Sequence, residues 1–452
     1  MTHSLNPSDS HLGLLTDLYE LTMAAGYWVQ GMASQRTTFE LFIRRLPECR
    51  NFLVNAGLEQ VVHYLQHLSF PPEQIDYLRK HPAFAQVPAG WFDHLAKLRF
   101  DGDLWAVPEG TIVFPNEPLL RITARIDVAQ IVETFLITAI TAQTMVASKA
   151  ARVATAANGR PVIDFGSRRA HGPQAGLLAA RASYIGGCVG SSNAEAGRLL
   201  GIPTMGTQAH AWVMAYDSET EAFRKFGEVF PGACTLLVDT YDTVEGVRNA
   251  IASGAPMQAV RLDSGDLGAL SKEARRILDE SGRKQVEIVA SGDLNEYKIR
   301  DLLAAGAPID SFGVGTELVT SRDEPTLGTV YKLVEMETPG GPIGRLKLSK
   351  EKKTYPFAKQ VFRQSAPGGI FKGDTIARAT ERLPGEPLLV AVMQNGNLLA
   401  PPPSLGRIQA RCQEQRRHLP ERLLSLEKQP AYPVGVSAEL EAETQRLAKQ
   451  SR

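Results

Sequence analysis

Between Pro161 and Thr316 short apolar runs recur, and each closes on Gly, Asp, Ser or Thr. They are Pro161-Val162-Ile163, Ile202 to Thr207, Thr235 to Thr240, Ala259 to Gly265, Val286 to Asp293 and Ser311 to Thr316. Helical stretches such as Gly268 to Ser281 and Leu294 to Ala305 lie between most of them. Strands that alternate with helices predict parallel βα units, because a parallel crossover needs a helix to cover the sheet. If the units close into a barrel, the residues at the C-terminal strand ends face one mouth. That mouth would gather Arg168, His210, Asp239, Asp242, Arg261, Asp263, Ser264, Asp293 and the Gly313/Gly315 turn.

The most informative strand end is Asp164-Phe165-Gly166-Ser167-Arg168-Arg169. Gly166 frees the backbone to turn, so an aromatic ring and two guanidiniums stand together. Phe offers a flat apolar face, and Arg a planar fork of donors for phosphate or carboxylate. A planar anionic ring beside a phosphorylated sugar needs that pair. Taken alone, the segment also suits a core Phe with two solvated Arg.

The chain has 452 residues, enough for two or three domains, and 49 basic residues balance 49 acidic ones. Zero net charge gives no reason to expect nucleic acid or a membrane surface as partner. The four scattered cysteines form no CxxC pair, and the polar N-terminus has no apolar core of a signal peptide. A reduced cytoplasmic setting is therefore expected. Ile131 to Arg152 reads as a buried helix, since Glu133, Gln143 and several Thr make it too polar for a span.

Ahead of the barrel, Leu14 to Trp28 is expected to be helical, with Thr16-Asp17 at its start and an apolar stripe of Leu14, Leu18, Leu21 and Ala25. Tyr19 lies off that stripe and alone would be a surface tyrosine. Thr37 to Arg44 reads as a strand, and Leu104 to Ile126 as a small antiparallel unit. Helix Gly57 to Leu68 carries His63 and His67 on one face, but the sequence offers no third ligand, so a metal site there is not expected. After Glu335 come a turn-rich link, a basic run Leu346 to Lys353, then Thr354 to Arg363 and Pro387 to Met393, expected to return to the N-terminal sheet. The expected domains are 1–150, an N-terminal α/β domain; 151–335, the catalytic α/β barrel; and 336–452, packing back on the first.

The chain resembles the nicotinate phosphoribosyltransferase family. The resemblance rests on Leu15 to Met23, Arg44-Arg45-Leu46-Pro47, Ala56-Gly57-Leu58, Asp164 to Arg169, Gly206-Thr207-Gln208-Ala209-His210, Arg261 to Asp266 and Phe312 to Thr316, in that order. It implies an irregular α/β barrel of the type II phosphoribosyltransferases, an α/β domain built from both termini, and a head-to-tail homodimer whose sites are completed by the neighbour. It implies that nicotinate and 5-phosphoribosyl 1-pyrophosphate become nicotinate mononucleotide and pyrophosphate, with ATP hydrolysed through a phosphohistidine and Mg2+ as cofactor.

By the same resemblance Phe165 stacks on the pyridine ring and Tyr19 of the other subunit covers its opposite face. Arg168 lies near nicotinate and the phosphoribosyl group. Asp239, Arg261 and Asp263 surround ribose, pyrophosphate and metal, with Asp239 and Asp263 as metal ligands. Gly292, Gly313 and Gly315 serve the 5-phosphate, and His210 is phosphorylated. The chain departs from the family at Gln208, where a histidine is common, and at Ala211, where a small hydroxyl residue is. Asn193 stands where nicotinamide enzymes place an aspartate, and a neutral residue suits a carboxylate substrate. Nicotinamide and quinolinate remain alternative substrates. A sugar-phosphate lyase of barrel form would need a Schiff-base lysine, for which only Lys332 offers itself. No P-loop sequence is present, so ATP would use the same mouth.

Overall fold

The computed structural model describes residues 8–349 and 354–450. Part of the basic run, 350–353, and the first seven residues lie outside the described ones. The chain divides into two compact units, 145–325 and a second built from 1–144 together with 326–452.

In the central unit six parallel strands form one sheet. Their spatial order is Gly190–Ser191, Val162–Asp164, Ser311–Val314, Glu287–Ala290, Ala259–Leu262, Thr235–Leu237. The last strand in sequence pairs with the first, with Gly313 opposite Ile163, which is the cyclic order of a βα barrel. The barrel is open, since among the described residues no strand pair joins Thr235–Leu237 to Gly190–Ser191. The strand expected from Ile202 to Thr207 is reduced to one bridge, Thr204 to Ser191. Gly201 and Pro203 flank that segment, and neither favours a sustained ladder.

Leu236, Val260, Leu262, Ile288, Ala290, Phe312 and Val314 are wholly buried and pack with Phe223, Val247, Leu278 and Ile299 of the covering helices. Those helices begin where the strand ends turn polar. Asn193, Asp242, Asp266 and Asn295 each accept a backbone N–H of the first helical turn. Such a cap contributes about 1 kcal/mol. Asp242 is thus committed to helix Thr243–Ala252.

The other unit is organised on a seven-stranded antiparallel sheet with Arg36–Ile43 and Pro118–Arg125 near its centre. Leu41 faces Leu120 on one side and Tyr331 on the other. Val390–Gln394 joins this sheet beside Asp103–Ala106. The strand expected to return from Thr354 to Arg363 does otherwise. It runs as Lys359–Ser365 and pairs with Phe371–Arg378 in a separate four-stranded sheet. The short Ala366-Pro367-Gly368-Gly369-Ile370 connection, with both glycines at positive φ, closes a local hairpin that wins over the distant edge. Lys332 lies on the antiparallel strand Thr329–Met336, outside the parallel sheet, where its Nζ donates to Tyr331 O and sits 3.6 Å from Glu133. This removes the lysine on which the lyase alternative depended.

The N-terminal helix starts later than expected. Asp9–Leu14 is a 3-10 turn, and the α-helix runs Leu18–Val29. Thr16 donates to Ile131 O instead of capping, and Asp17 makes no side-chain cap bond. The buried face is Glu20, Leu21, Ala24 and Ala25, so Leu18 is exposed, contrary to the expected stripe. Tyr19 and Met23, four residues apart, are instead exposed on one side of the helix, with Leu18 exposed beside Tyr19 and Leu15 exposed in the segment before the helix.

Candidate active site

The strand ends of the central unit hold a continuous polar chain. Asp239, two residues beyond Leu237, accepts the Asp263 backbone N–H at 3.0 Å and the Ser264 hydroxyl at 2.5 Å, both on Oδ2. Its other oxygen, Oδ1, is buried and has no hydrogen-bond partner. Asp263 Oδ1 receives Arg261 at 2.6 Å and the Ser291 hydroxyl at 2.5 Å. Arg261 also donates to Ser291 Oγ and Thr207 Oγ1, each at 2.8 Å. Three of its donors are thereby fixed, so the guanidinium cannot swing. Burial pushes the Asp263 carboxyl up, but the bond from Ser291 and the charge of Arg261 outweigh it and hold the group below its ordinary range.

Phe165 follows strand Val162–Asp164 and donates its backbone N–H to Val314 O. Its ring lies 5.5 Å from the Arg261 guanidinium carbon. Asp164 is buried beneath the turn and accepts from Gly166 N–H and Ser191 Oγ. Burial raises its carboxyl, while those two bonds oppose the shift. A side chain at Gly166 would strike Val319, and one at Gly313 would lie 2.3 Å from the Phe165 ring. Gly313 is therefore glycine for the ring. Gly292, at φ +94°, lies so close to the Asp263 carbonyl that an added Cβ would sit 1.9 Å from its oxygen. Gly315 precedes the short helix Thr316–Val319.

His210 begins helix His210–Met214, and its Nδ1 meets Thr240 Oγ1 at 3.2 Å. It contributes to the field that lowers Asp263. Asn193 is spent on structure at both ends, with Oδ1 capping Ala196 and Nδ2 donating to Ser167 Oγ at 3.2 Å, one residue from Arg168. Arg168 itself is exposed. In the other unit Tyr19 is 46% exposed.

Residues 14–141 match the nicotinate phosphoribosyltransferase N-terminal domain family, and 381–443 its C-terminal domain family. Nicotinate phosphoribosyltransferase pncB2 of Mycobacterium tuberculosis is 48% identical over 446 residues, spanning 97% of this chain and 94% of its own. This chain belongs to the nicotinate phosphoribosyltransferase family. The Bacillus subtilis nicotinate phosphoribosyltransferase is 41% identical over 78% of this chain and 74% of its own. Human nicotinic acid phosphoribosyltransferase superposes with a TM-score of 0.86 at 29% identity, over 96% of this chain and all of that one. Residues 146–323 match the quinolinate phosphoribosyl transferase C-terminal domain family. A solved nicotinate-nucleotide pyrophosphorylase from Pyrococcus furiosus, 26% identical, has a TM-score of 0.75 over 92% of this chain and 99% of its own. The open parallel barrel is thus the type II phosphoribosyltransferase fold.

Within this family member the spacing of motifs identified Asp239, Arg261, Asp263, Phe165 and His210, and the strand ends bring them together. Of the hydroxyls that bond to them, Ser264 is among the residues expected at the mouth, whereas Thr207, Thr240 and Ser291 were not singled out. Their signal was present, since each lies within one residue of a strand-end motif or inside one. Among the described residues no helix is long and apolar enough to cross a membrane, and no disulfide joins the four cysteines.

Proposed function

We propose that this enzyme transfers the phosphoribosyl group of 5-phosphoribosyl 1-pyrophosphate to nicotinate in NAD biosynthesis, with ATP hydrolysed through His210. The reaction forms a bond between the pyridine nitrogen and the ribose C1 and breaks the bond from C1 to the pyrophosphate oxygen, which leaves with the electron pair. The nitrogen lone pair is already free, so the protein need only orient the ring, support cationic character at C1 and neutralise the leaving group. Phe165 is the ring platform, and Arg168 receives the carboxylate. Asp263 faces the developing positive charge, and Arg261 the departing anion.

The observation that carries this reading is the Asp239–Asp263–Arg261–Ser291–Thr207 chain, fixed beside Phe165. The buried, unpartnered Asp239 Oδ1 fits a cation, so Asp239 with Asp263 would hold magnesium. When bound, the ion supplies charge neutralisation to the pyrophosphate. Because Thr240 occupies Nδ1 of His210, Nε2 is the nitrogen left to accept a phosphoryl group from ATP, releasing ADP. The exposed Leu18, Tyr19 and Met23 of the N-terminal helix, with Leu15 exposed just before it, support a homodimer that covers these residues and brings Tyr19 to a neighbouring site. A cytoplasmic setting accords with the absence of disulfides.

Pyrophosphate release measured with nicotinate, nicotinamide and quinolinate in parallel tests the substrate, and turnover of nicotinate alone is expected. Faster turnover of either other acceptor would overturn the assignment. In the same assay His210→Ala is expected to abolish ATP hydrolysis and the ATP stimulation of synthesis, leaving an ATP-independent rate. Undiminished ATPase activity in that variant would remove His210 from its role.

Asn193→Asp tests selectivity. Aspartate keeps an oxygen for the Ala196 cap but loses the donor to Ser167 and sets a negative charge near the substrate carboxylate. Nicotinate kcat/KM should fall by roughly tenfold, the effect of about 1.4 kcal/mol of repulsion. An unchanged value would place this loop away from the carboxylate.

A further inference from the structure

Helix Leu58–His67 carries His63 and His67 one turn apart, so both rings project from one face, their centroids 4.3 Å apart. The sequence offers no neighbour for them. The structure supplies one from far away in the chain, because Asp9 Oδ1 lies 2.9 Å from His63 Nε2. One ligand atom from each of Asp9, His63 and His67 falls within 4.8 Å of the others. From these contacts we propose that Asp9, His63 and His67 form a binding site for a borderline divalent cation of the zinc class, distinct from the catalytic mouth.

The geometry around the histidines favours this over a chance encounter. His67 Nδ1 lies 2.8 Å from the His63 carbonyl oxygen, four residues earlier. A carbonyl can only accept, so Nδ1 carries the hydrogen and Nε2 presents its lone pair. Metal-binding histidines are usually oriented in this way, by donating the second ring nitrogen to a carbonyl or carboxylate. At His63 the nitrogen that meets Asp9 is the one a cation would take, and the ion would replace the proton the pair shares.

The Asp9 backbone is also held in place. Turn Asp9–Leu14 buries Leu12 against the unit, Gly13 packs so closely on Ser69 that an added Cβ would lie 2.4 Å from its carbonyl oxygen, and Gln74 donates to His11 O at 3.0 Å. The carboxylate therefore meets the helix at a fixed place.

Two imidazoles and one carboxylate suit zinc, nickel or copper, whereas magnesium and calcium prefer oxygen ligands throughout. All three side chains are exposed, so water completes the shell and occupancy follows the free cation concentration. The bound ion would join the N-terminal turn to the helix. Because it binds only the folded chain, it would add stability.

The test uses the untagged full-length protein, stripped with a chelator and titrated with zinc chloride by calorimetry. Cobalt(II) absorption serves as the spectroscopic probe. One zinc per chain is expected at this site, unaffected by excess magnesium, with a rise in the unfolding temperature. Asp9→Asn and His67→Ala should each weaken that zinc by at least about tenfold, and His63→Ala,His67→Ala should abolish it and the rise in unfolding temperature. Nucleotide synthesis should be unchanged in all three variants, because none of these residues belongs to the catalytic mouth. Zinc bound with the same stoichiometry and affinity in the double histidine variant overturns the proposal, as does failure of the unaltered protein to bind zinc.

Discussion

Asp263→Asn is expected to lower the rate of nicotinate mononucleotide synthesis by about a thousandfold, the scale seen when one preorganised electrostatic partner of a transition state is lost. The replacement keeps the size of the side chain and can still accept from Ser291. It removes the carboxylate that Arg261 meets at 2.6 Å, and with it the negative charge proposed to face C1. Arg261 is 12% exposed and Asp263 24%, so its guanidinium is left nearly buried without a counter-charge. Breaking a fully buried pair costs roughly 3 to 5 kcal/mol. Partial exposure lowers the expected loss of folding stability here to about 2 kcal/mol.

The pH dependence has a definite sign. Asp263 titrates below its ordinary value when folded, so its contribution is present above the unfolded value of about 3.9 and is lost as the pH falls through the lower folded one. Urea midpoints of the two proteins should therefore differ by a constant amount from about pH 5 to pH 8 and converge in stronger acid. Equal midpoints at pH 7, or a rate within tenfold of the unaltered enzyme, would show that the Arg261–Asp263 pair is peripheral.

The barrel unit was legible because two independent signals agree there. Runs such as Ile288 to Ala290 are apolar throughout, as strands covered by helices must be, and Asp or Asn follows where a helix needs its cap. The polar cluster sits on the same strand ends, so finding the strands also placed Asp239 and Asp263 together. Signals set by distant contacts were not legible. Thr16 looked like a cap, but its hydroxyl is taken by Ile131, 115 residues away. Glu20 lies off the apolar stripe expected for its helix. It is fully buried, and burial pushes its carboxyl up to about 8 despite hydrogen bonds from Thr134. That inversion turns Leu18 and Tyr19 outward together. The packing of the Phe165 ring against Gly313, which leaves no room for a side chain there, is likewise set by residues far apart in the sequence. In the Asp9–His63 pair the third ligand is 54 residues from its partner, which no spacing rule reaches.

Mixing two impaired variants should restore activity if Tyr19 reaches the site of a second subunit. Tyr19 stands exposed on its own helix, whereas Phe165 and Arg168 stand on a barrel strand end. Covering one face of a pyridine ring with a tyrosine contributes about 1 kcal/mol beyond the area it buries. With the area the ring buries added, the loss reaches about 1.4 kcal/mol, so Tyr19→Ala should retain roughly a tenth of the activity when nicotinate is far below its KM. Phe165→Ala,Arg168→Ala loses the platform and the carboxylate partner and should be nearly inert. In a two-fold dimer with shared sites, a mixed pair gathers every defect into one site and leaves the other intact. Random pairing makes half the dimers mixed, so the mixture should approach about a quarter of the unaltered activity. If Tyr19 acted within its own chain, each mixed dimer would hold one weak site and one inert site, and the mixture would stay near a twentieth by the same counting. The two outcomes differ by about fivefold in one initial-rate measurement, with heterodimers verified by distinct affinity tags. A mixture at the lower value would remove the shared site while leaving the barrel chemistry untouched.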